Sequence, residues 1–222
     1  MCTLTWHTYE HGYRLLFTRD ELRSRACAGP PSVRFAGGTA YVAPTDSDRG
    51  GTWIGVNELG ITHCIVNTYG GPIARGLRDR LVELARIGNR GADTGRHRLR
   101  PSRGTLVRDL QHCDSPECTE KVLLDWPIEG VPDFCVLQLV PGGNPIAFLK
   151  ENDVLYRSTV GTPPVTTSGH RTDTVERFRL DLFQSRIQAN RGRFAADGRG
   201  AGGCLRSFTS TGTPPIRRSG FV

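Results

Sequence analysis

Cys2 is the residue of this 222-residue chain whose type and position best suit chemistry. Cysteine is small enough at the second position for removal of Met1 to be expected, which leaves a thiol and a free α-amine on one residue. The α-amine has an ordinary pKa of about 7.7–8.0, so part of it is neutral near neutral pH and can act as a base. Because a nearby base increases the reactive thiolate, Cys2 alone could supply both nucleophile and base.

The segment after Cys2 is predicted to form a β-hairpin that brings charged residues to the thiol. Apolar and polar residues alternate at the start of the chain, which is typical of a strand with one buried face. A turn at residues 9–12 then allows a return strand over residues 13–18. One turn register places Cys2 opposite Arg19, and a tighter turn places it opposite Glu21. Either register brings the run from Arg19 to Glu21 to the thiol.

Two motifs resemble those of the NRDE family, also called the transport and Golgi organisation 2 family. They are an early cysteine followed by Thr18-Arg19-Asp20-Glu21, and the segment from Gly50 to Glu58. The family's naming motif is Asn-Arg-Asp-Glu, so this chain departs from it at Thr18. The resemblance is dense over residues 1–70 and thins toward the C-terminus. The family is in turn similar to cysteine N-terminal-nucleophile hydrolases, such as penicillin V acylase and bile salt hydrolase, which cleave amides.

The resemblance implies a fold and a set of catalytic residues. The expected fold is α+β, as a single-domain four-layer αββα sandwich of the N-terminal-nucleophile type. Arg19 is expected to stabilise the Cys2 thiolate with its permanent charge, and Asp20 to orient the α-amine through a charge-assisted bond. Asn67 is implied as the oxyanion donor, a contact that contributes about 2.7–4 kcal/mol in such sites. The alternative for Asn67 is a turn residue that caps the following loop.

Four further residues are expected to line the pocket around the thiol. Glu21 and Trp53 belong to the two motifs. Ser168 and His170 correspond to a strand end that faces the nucleophile in the relatives that the resemblance implies. A loop or cap role is the alternative for both of these residues.

Two functions are consistent with these residues. The first is a cysteine N-terminal-nucleophile amidohydrolase that acts on a small amide or acyl bond and needs no cofactor or metal. The alternative is a non-enzymatic binder or chaperone of a hydrophobic ligand such as haem, a lipid or an acyl-CoA. In that case Cys2 or a histidine such as His7, His11 or His63 could contact the ligand.

The composition argues against nucleic acid and membrane partners. The formal net charge is +7, yet the basic residues are scattered and only Lys121 and Lys150 are lysines, a skew typical of GC-rich coding sequence. No apolar run is long enough to cross a membrane, and the chain begins without a secretory signal. A cytoplasmic location is therefore expected.

The seven cysteines are odd in number and irregularly spaced, so reduced thiols are expected. Cys64 and Cys135 lie in apolar strand patterns and are predicted to be small core residues. His112, Cys113 and Cys118 could form part of a zinc site. A second matching pair of ligands is lacking in the sequence, so this interpretation is not favoured.

Periodicity predicts the remaining elements. Asp46 and Asn57 are predicted to be turn residues that bond the backbone. A single domain is expected over residues 1–190. Residues 191–222 are expected to be either a Gly-, Arg- and Pro-rich tail or degenerate last strands of the fold. Strands are expected near 41–43, 52–56, 61–68, 134–140, 146–149 and 154–157, and a loop over 22–38. The strand over 134–140 is almost continuously apolar, so it is predicted to be central. Helices are expected over 72–88, closed by Gly88, and over 102–110, 116–124 and 173–190. The last of these is predicted to have an apolar stripe made of Val175, Phe178, Leu182, Phe183 and Ile187.

Overall fold

The structure, a computed structural model, describes residues 2–68, 80–89, 102–168 and 172–196. Within these ranges the chain has an α+β fold that is mostly sheet, as the sequence predicts. The strands are β1 (Cys2–Tyr9), β2 (Gly12–Arg19), β3 (Gly29–Ala36), β4 (Thr39–Thr45), β5 (Ile54–Asn57), β6 (Thr62–Asn67), β7 (Ala85–Asn89), β8 (Phe134–Leu139), β9 (Ile146–Glu151), β10 (Val154–Thr159) and β11 (Val165–Thr167). The helices are α1 (Arg103–Asp109), α2 (Pro116–Asp125) and α3 (Thr172–Ala196), with a 3₁₀ turn at Leu110–His112.

Three strands form a small antiparallel sheet in the order β11-β1-β2. The predicted hairpin is confirmed, and the register is the one that pairs Cys2 with Arg19. On the other side, Cys2 pairs with Thr167 of β11. Since β1 is the central strand, both neighbours of Cys2 are fixed by backbone ladders.

The other eight strands form a large sheet in the order β3-β4-β5-β6-β8-β9-β10-β7. The predicted central strand is confirmed as β8, every residue of which is buried. The inner face of the large sheet packs against the small sheet. Buried apolar side chains of both sheets fill the space between them, including Leu4, Phe17, Cys64, Cys135 and Leu137.

Helices α1 and α2 cover the other face of the large sheet, which we call its helix face. Both helices begin at a serine, as expected for N-caps: Ser102 accepts from the Thr105 amide at 3.3 Å, and Ser115 from the Cys118 amide at 3.2 Å. Arg157 of β10 joins α2 to the sheet through ion pairs. Its guanidinium lies 3.0 Å from a carboxylate oxygen of each of two α2 glutamates, Glu117 and Glu120.

Helix α3 packs on β11, against the face of the small sheet that points away from the large sheet. It extends to Ala196, past the predicted helix end at residue 190. The tail or last strands expected from residue 191 stay a prediction, since residues 197–222 lie outside the described ranges. The predicted apolar stripe is wrong in part, because Phe178 is 66% exposed and Leu182 is 41% exposed. The helix contacts the sheet through polar side chains instead, as described below.

The sequence mispredicts two strands. Residues 22–38 were expected to be a loop, but Gly29–Ala36 is the edge strand β3. The predicted helix over 72–88 is contradicted at its end, where Ala85–Asn89 is strand β7 and pairs with β10; residues 72–79 lie outside the described ranges. Gly88, expected as a helix cap, packs so closely on α2 that a Cβ there would overlap the Leu124 side chain.

The predicted turns are confirmed. Asp46 accepts from the amides of Asp48 and Arg49. The Asn57 side chain accepts from the amides of Leu59 and Ile61. Its amide group also donates to the Gln111 and Cys113 carbonyls, at 3.2 and 2.9 Å, so this turn is tied to the segment before α2.

Of the helices that the structure describes, none combines the length and apolar character that a membrane span requires.

Candidate active site around Cys2

Cys2 lies in register between a cation and a hydroxyl. Arg19 of β2 and Thr167 of β11 are its direct partners, so the three side chains share one face of the small sheet. The same alternation places Leu4, two residues on, in the core between the sheets. The thiol therefore points toward the large sheet, where Cys64 is close enough to sense its charge.

The groups around the Cys2 thiol shift its pKa in opposite directions. Cys2 is 9% exposed, and this burial raises the pKa of its thiol above the ordinary value. The positive charges of the amino terminus and of Arg19 act in the opposite direction, while Glu21 and Asp20 add to the rise. With all of these charges present, the thiol is protonated at neutral pH, and nucleophilic chemistry requires a base.

Two side chains fix Arg19 beside the thiol. Its guanidinium lies 3.8 Å from the centroid of the Trp53 ring, a cation–π contact, and it forms an ion pair with Glu21. The Arg19 side chain is only 11% exposed. Glu21 and Trp53, predicted as pocket residues, therefore lie around Arg19, and their contact with a ligand stays a prediction.

Asp20 points to the other side of the small sheet. Its carboxylate accepts a hydrogen bond from Arg179 of α3, and the same guanidinium donates to the Thr3 hydroxyl. Thr166 also bonds Thr3, at 3.2 Å between the hydroxyl oxygens. A helix arginine is thus a partner of Asp20, and the expected bond of Asp20 to the α-amine stays a prediction.

Arg179 was missed by the sequence reasoning. Its helix turn carried no motif, and the predicted apolar stripe drew attention to other positions. The available signal was its spacing from Glu176, which places both residues on one side of α3. Glu176 pairs with Arg80 at 3.9 Å, so this side of the helix is polar.

Asn67 lies on the helix face of the large sheet, whereas the β6 residue close to Cys2, Cys64, lies on the inner face. Along β6, His63, Ile65 and Asn67 alternate with Cys64 and Val66. The His63 ring bonds Thr119 of α2, so His63 points to the helix face, and the pleat places Asn67 with it. The oxyanion role of Asn67 stays a prediction.

Of the two residues predicted at the end of β11, Ser168 is buried directly after Thr167. His170 lies outside the described residues. Ser168 follows the residue that pairs with Cys2, and its contact with a ligand stays a prediction.

Two buried hydroxyls were not anticipated from the sequence. The hydroxyl oxygens of Thr68 and Thr167 are buried and lack a hydrogen-bond partner among the described residues. Thr167 is the direct partner of Cys2, and Thr68 follows Val66 by two residues at the end of β6. Leaving a buried hydroxyl without a partner costs about 1–3 kcal/mol of folding free energy. Such groups therefore often form hydrogen bonds with a bound ligand or water.

A pocket of about 330 Å³ opens at the other end of the two sheets. It lies below the turn of the β1–β2 hairpin, where the Tyr13 hydroxyl bonds Gly60 and Thr62 at 2.6 Å each. Its lining is mainly apolar and aromatic: Tyr9, Gly12, Tyr13, Leu15, Ile54, Val56, Gly60, Thr62 and Pro141.

Replacing Arg19 with Met is expected to raise the pH at which Cys2 reacts. The positive charge of Arg19 lowers the pKa of the Cys2 thiol, whereas burial raises it, so loss of this charge raises the pKa further. Because only the thiolate reacts, the alkylation rate at neutral pH should fall about tenfold for each unit by which the pKa rises. Rates of alkylation measured against pH, with peptide mapping to Cys2, would show the shift. Arg14→Met on the same strand, where the side chain is exposed, is the matched control. An unchanged profile in Arg19→Met would contradict the role given to this cation.

Comparisons with known proteins give no assignment: no family model matches the chain, and no curated protein matches its sequence.

Proposed function

We propose that the protein is a cysteine hydrolase of the N-terminal-nucleophile type that acts on a small amide or acyl bond. The observation that carries the proposal is the position of Cys2 in the middle of three paired strands, with Arg19 and an unpartnered Thr167 hydroxyl on either side. The thiol is a nucleophile, and the cation and the hydroxyl are two groups that can stabilise negative charge on a substrate.

The proposed reaction begins once removal of Met1 makes Cys2 the first residue. Its α-amine accepts the thiol proton as Sγ attacks the substrate carbonyl carbon. The carbon–nitrogen bond then breaks, the proton passes to the leaving amine, and the acyl group stays on sulfur as a thioester. Water attacks this thioester, which releases the carboxylic acid and restores the thiol.

Charge that develops on the carbonyl oxygen needs donors. The Thr167 hydroxyl is buried beside Cys2 without a partner, so it can donate without first breaking a bond. Arg19 contributes a fixed positive charge, since Trp53 and Glu21 hold its guanidinium in place. Asn67 remains the donor proposed from the family resemblance.

The family and the finer architecture belong to the same proposal. An αββα sandwich is supported by the order of contacts: α3 on the small sheet, the small sheet on the large sheet, and α1 and α2 on the helix face. The paired Cys2 and Arg19, followed by Asp20 and Glu21, support membership of the NRDE family. We also propose that the protein acts in the cytoplasm.

The test of the proposal is the chemical state of Cys2. Intact mass, measured before and after a cyanobenzothiazole that is selective for a terminal 1,2-aminothiol, is expected to lack Met1 and to gain one adduct. A panel of aminocoumarin amides is then expected to release the fluorescent amine, with an acyl adduct that peptide mapping places on Cys2. Retention of Met1, or a processed chain that forms no adduct, would contradict the proposal.

The apolar pocket favours a second candidate, the binding of a hydrophobic ligand. Its volume of about 330 Å³ is at the small end of ligand sites, and its described lining contains no cysteine or histidine. A lipid-like or aromatic group therefore fits it better than haem. This candidate predicts that an apolar fluorescent probe binds the protein while every amide in the panel stays intact.

A further inference from the structure

We propose a binding site for a thiophilic divalent cation, of which Zn²⁺ is the typical example, at His112, Cys113 and Cys118. A ring nitrogen of His112 and the two cysteine Sγ atoms lie within 4.8 Å of one another. The three residues belong to the segment between the 3₁₀ turn and the first turn of α2, on the helix face of the large sheet. The site is therefore separate from Cys2, which lies between the sheets.

The donor set is the one that selects this kind of ion. Two thiolates and one imidazole form a Cys₂His set, which binds zinc tetrahedrally with an open fourth position. A Zn–S distance of about 2.3 Å separates two sulfurs by about 3.8 Å, so movements of about 1 Å or less suffice to close the site. His112 is exposed and Cys118 is half-buried, which gives the ion a path from solvent and leaves a solvent molecule for the fourth position.

His112 is oriented as a ligand. Its Nδ1 lies 2.7 Å from the Asp109 carbonyl oxygen, so Nδ1 carries the proton and donates it to that oxygen. The lone pair is then on Nε2, which is left to bind the ion. Metal-binding histidines commonly donate their second nitrogen to a carbonyl in this way, which sets the tautomer and the ring orientation. The ring also packs on Gly37, where a Cβ would lie 3.0 Å from the His112 Cβ.

The backbones of both cysteines are held in place before any ion arrives. The Cys113 amide donates to the Leu110 carbonyl at 3.0 Å, and the Cys113 carbonyl accepts from Asn57 at 2.9 Å. The Cys118 amide is capped by Ser115, which fixes this residue in the first turn of α2. Binding of the ion displaces the two thiol protons to solvent and forms two metal–sulfur bonds.

The consequence of binding is a link between the 3₁₀ turn and α2. Asn57 already ties Cys113 to the β5–β6 turn, and the His63 ring ties β6 to Thr119, one residue after Cys118. An ion across Cys113 and Cys118 joins these two connections. We therefore expect it to stabilise the helix face of the large sheet.

Cobalt(II) added to the reduced full-length protein is the probe of this site. One equivalent is expected to give sulfur-to-cobalt charge-transfer bands and the visible bands of a tetrahedral centre, and Zn²⁺ is expected to remove both. Cys118→Ser and His112→Ala, which alter side chains that are not fully buried, should weaken binding at least about tenfold. Cys27→Ser removes an exposed thiol elsewhere, and Cys2→Ser removes the thiol near the amino terminus, which could otherwise bind cobalt together with the terminal amine. Both variants should keep the cobalt spectrum.

Thermal unfolding provides a second readout. Zn²⁺ at a hundredfold excess over its dissociation constant should raise Tm by about 5–10 °C in the unaltered protein and not in Cys118→Ser. Cobalt bands that persist unchanged in Cys118→Ser would overturn the proposal. So would a spectrum without thiolate bands, or a Cys113–Cys118 disulfide whose reduction restores no metal uptake.

Discussion

Cys2→Ser and Cys2→Ala are expected to lose amide turnover by about 10³-fold or more in kcat/KM. In nucleophilic catalysis the attacking group and its base act as one unit, so loss of the nucleophile leaves only binding and charge stabilisation. Here the lost group is the thiol between Arg19 and Thr167, and serine cannot replace it because its hydroxyl is far less acidic. The measurement is steady-state release of the aminocoumarin from the best amide of the panel.

Cys27→Ser is the matched control for that experiment, because Cys27 is an exposed cysteine outside the paired strands. It should keep full turnover. Both Cys2 variants should unfold at nearly the temperature of the unaltered chain, since they replace a small side chain with one of similar size. Full turnover in a folded Cys2→Ala variant would remove the hydrolase proposal and leave the hydrophobic pocket as the better candidate.

Thr167→Val separates the catalytic role of the hydroxyl from its packing, since valine has nearly the same shape. The Thr167 oxygen has no partner to lose among the described residues, so its removal should leave the fold intact. If the hydroxyl stabilises the oxyanion, kcat falls with little change in KM. This variant therefore connects the Cys2 result to a particular donor.

The register at the thiol was predictable because a hairpin is local. A turn of given length fixes every pair along two adjacent strands, so one choice of turn put Cys2 opposite Arg19. The central strand β8 was predictable for a different reason. Strands covered on both faces read as continuous apolar runs, and Phe134–Leu139 is buried throughout.

The errors come from positions that pairing over long distances decides. Strand β3 is an edge strand in which even Val33 and Phe35 are exposed. Since neither face of it is buried, its sequence lacks the alternation of apolar and polar residues that identifies a strand. Strand β7 exists because it pairs with β10, a partner far along the chain, and its short run of mixed residues agreed equally well with a helix. Thr167 was missed because β11 has only three residues, too few for alternation to be read.

The three proposed metal ligands, His112, Cys113 and Cys118, show the same limit. Spacing alone gave one histidine and two cysteines without a second pair, which is weak evidence for a metal. What brings them together is a turn followed by a capped helix start, with Asn57 holding Cys113 from another part of the chain. Such convergence is visible only once the β5–β6 hairpin is placed beside the segment before α2.

Lys150→Met is expected to lower the free energy of unfolding by about 3 kcal/mol, which corresponds to a fall in Tm of about 6–12 °C. Lys150 is 2% exposed, and its ammonium donates to the Val131 carbonyl at 2.6 Å. It also pairs with Asp133 at 3.0 Å and Asp153 at 2.8 Å. Methionine keeps the length of the side chain but leaves the mostly buried Asp133 carboxylate without its cation. Because Asp153 is 46% exposed, we expect the low end of the range for broken buried pairs.

The effect should reach the candidate site, because Asp133 supports the end of β6. Its carbonyl accepts from the Thr68 amide at 3.1 Å, so faster hydrogen exchange at Thr68 is expected in the Lys150→Met variant. Lys121→Met is the matched control, since Lys121 is the chain's other lysine and is exposed. Thermal unfolding of both variants checks this expectation. Adding Asp133→Asn and the double variant Lys150→Met/Asp133→Asn completes a double-mutant cycle, which measures the coupling between Lys150 and Asp133. A Lys150→Met variant as stable as Lys121→Met would show that the buried ammonium contributes nothing to the fold.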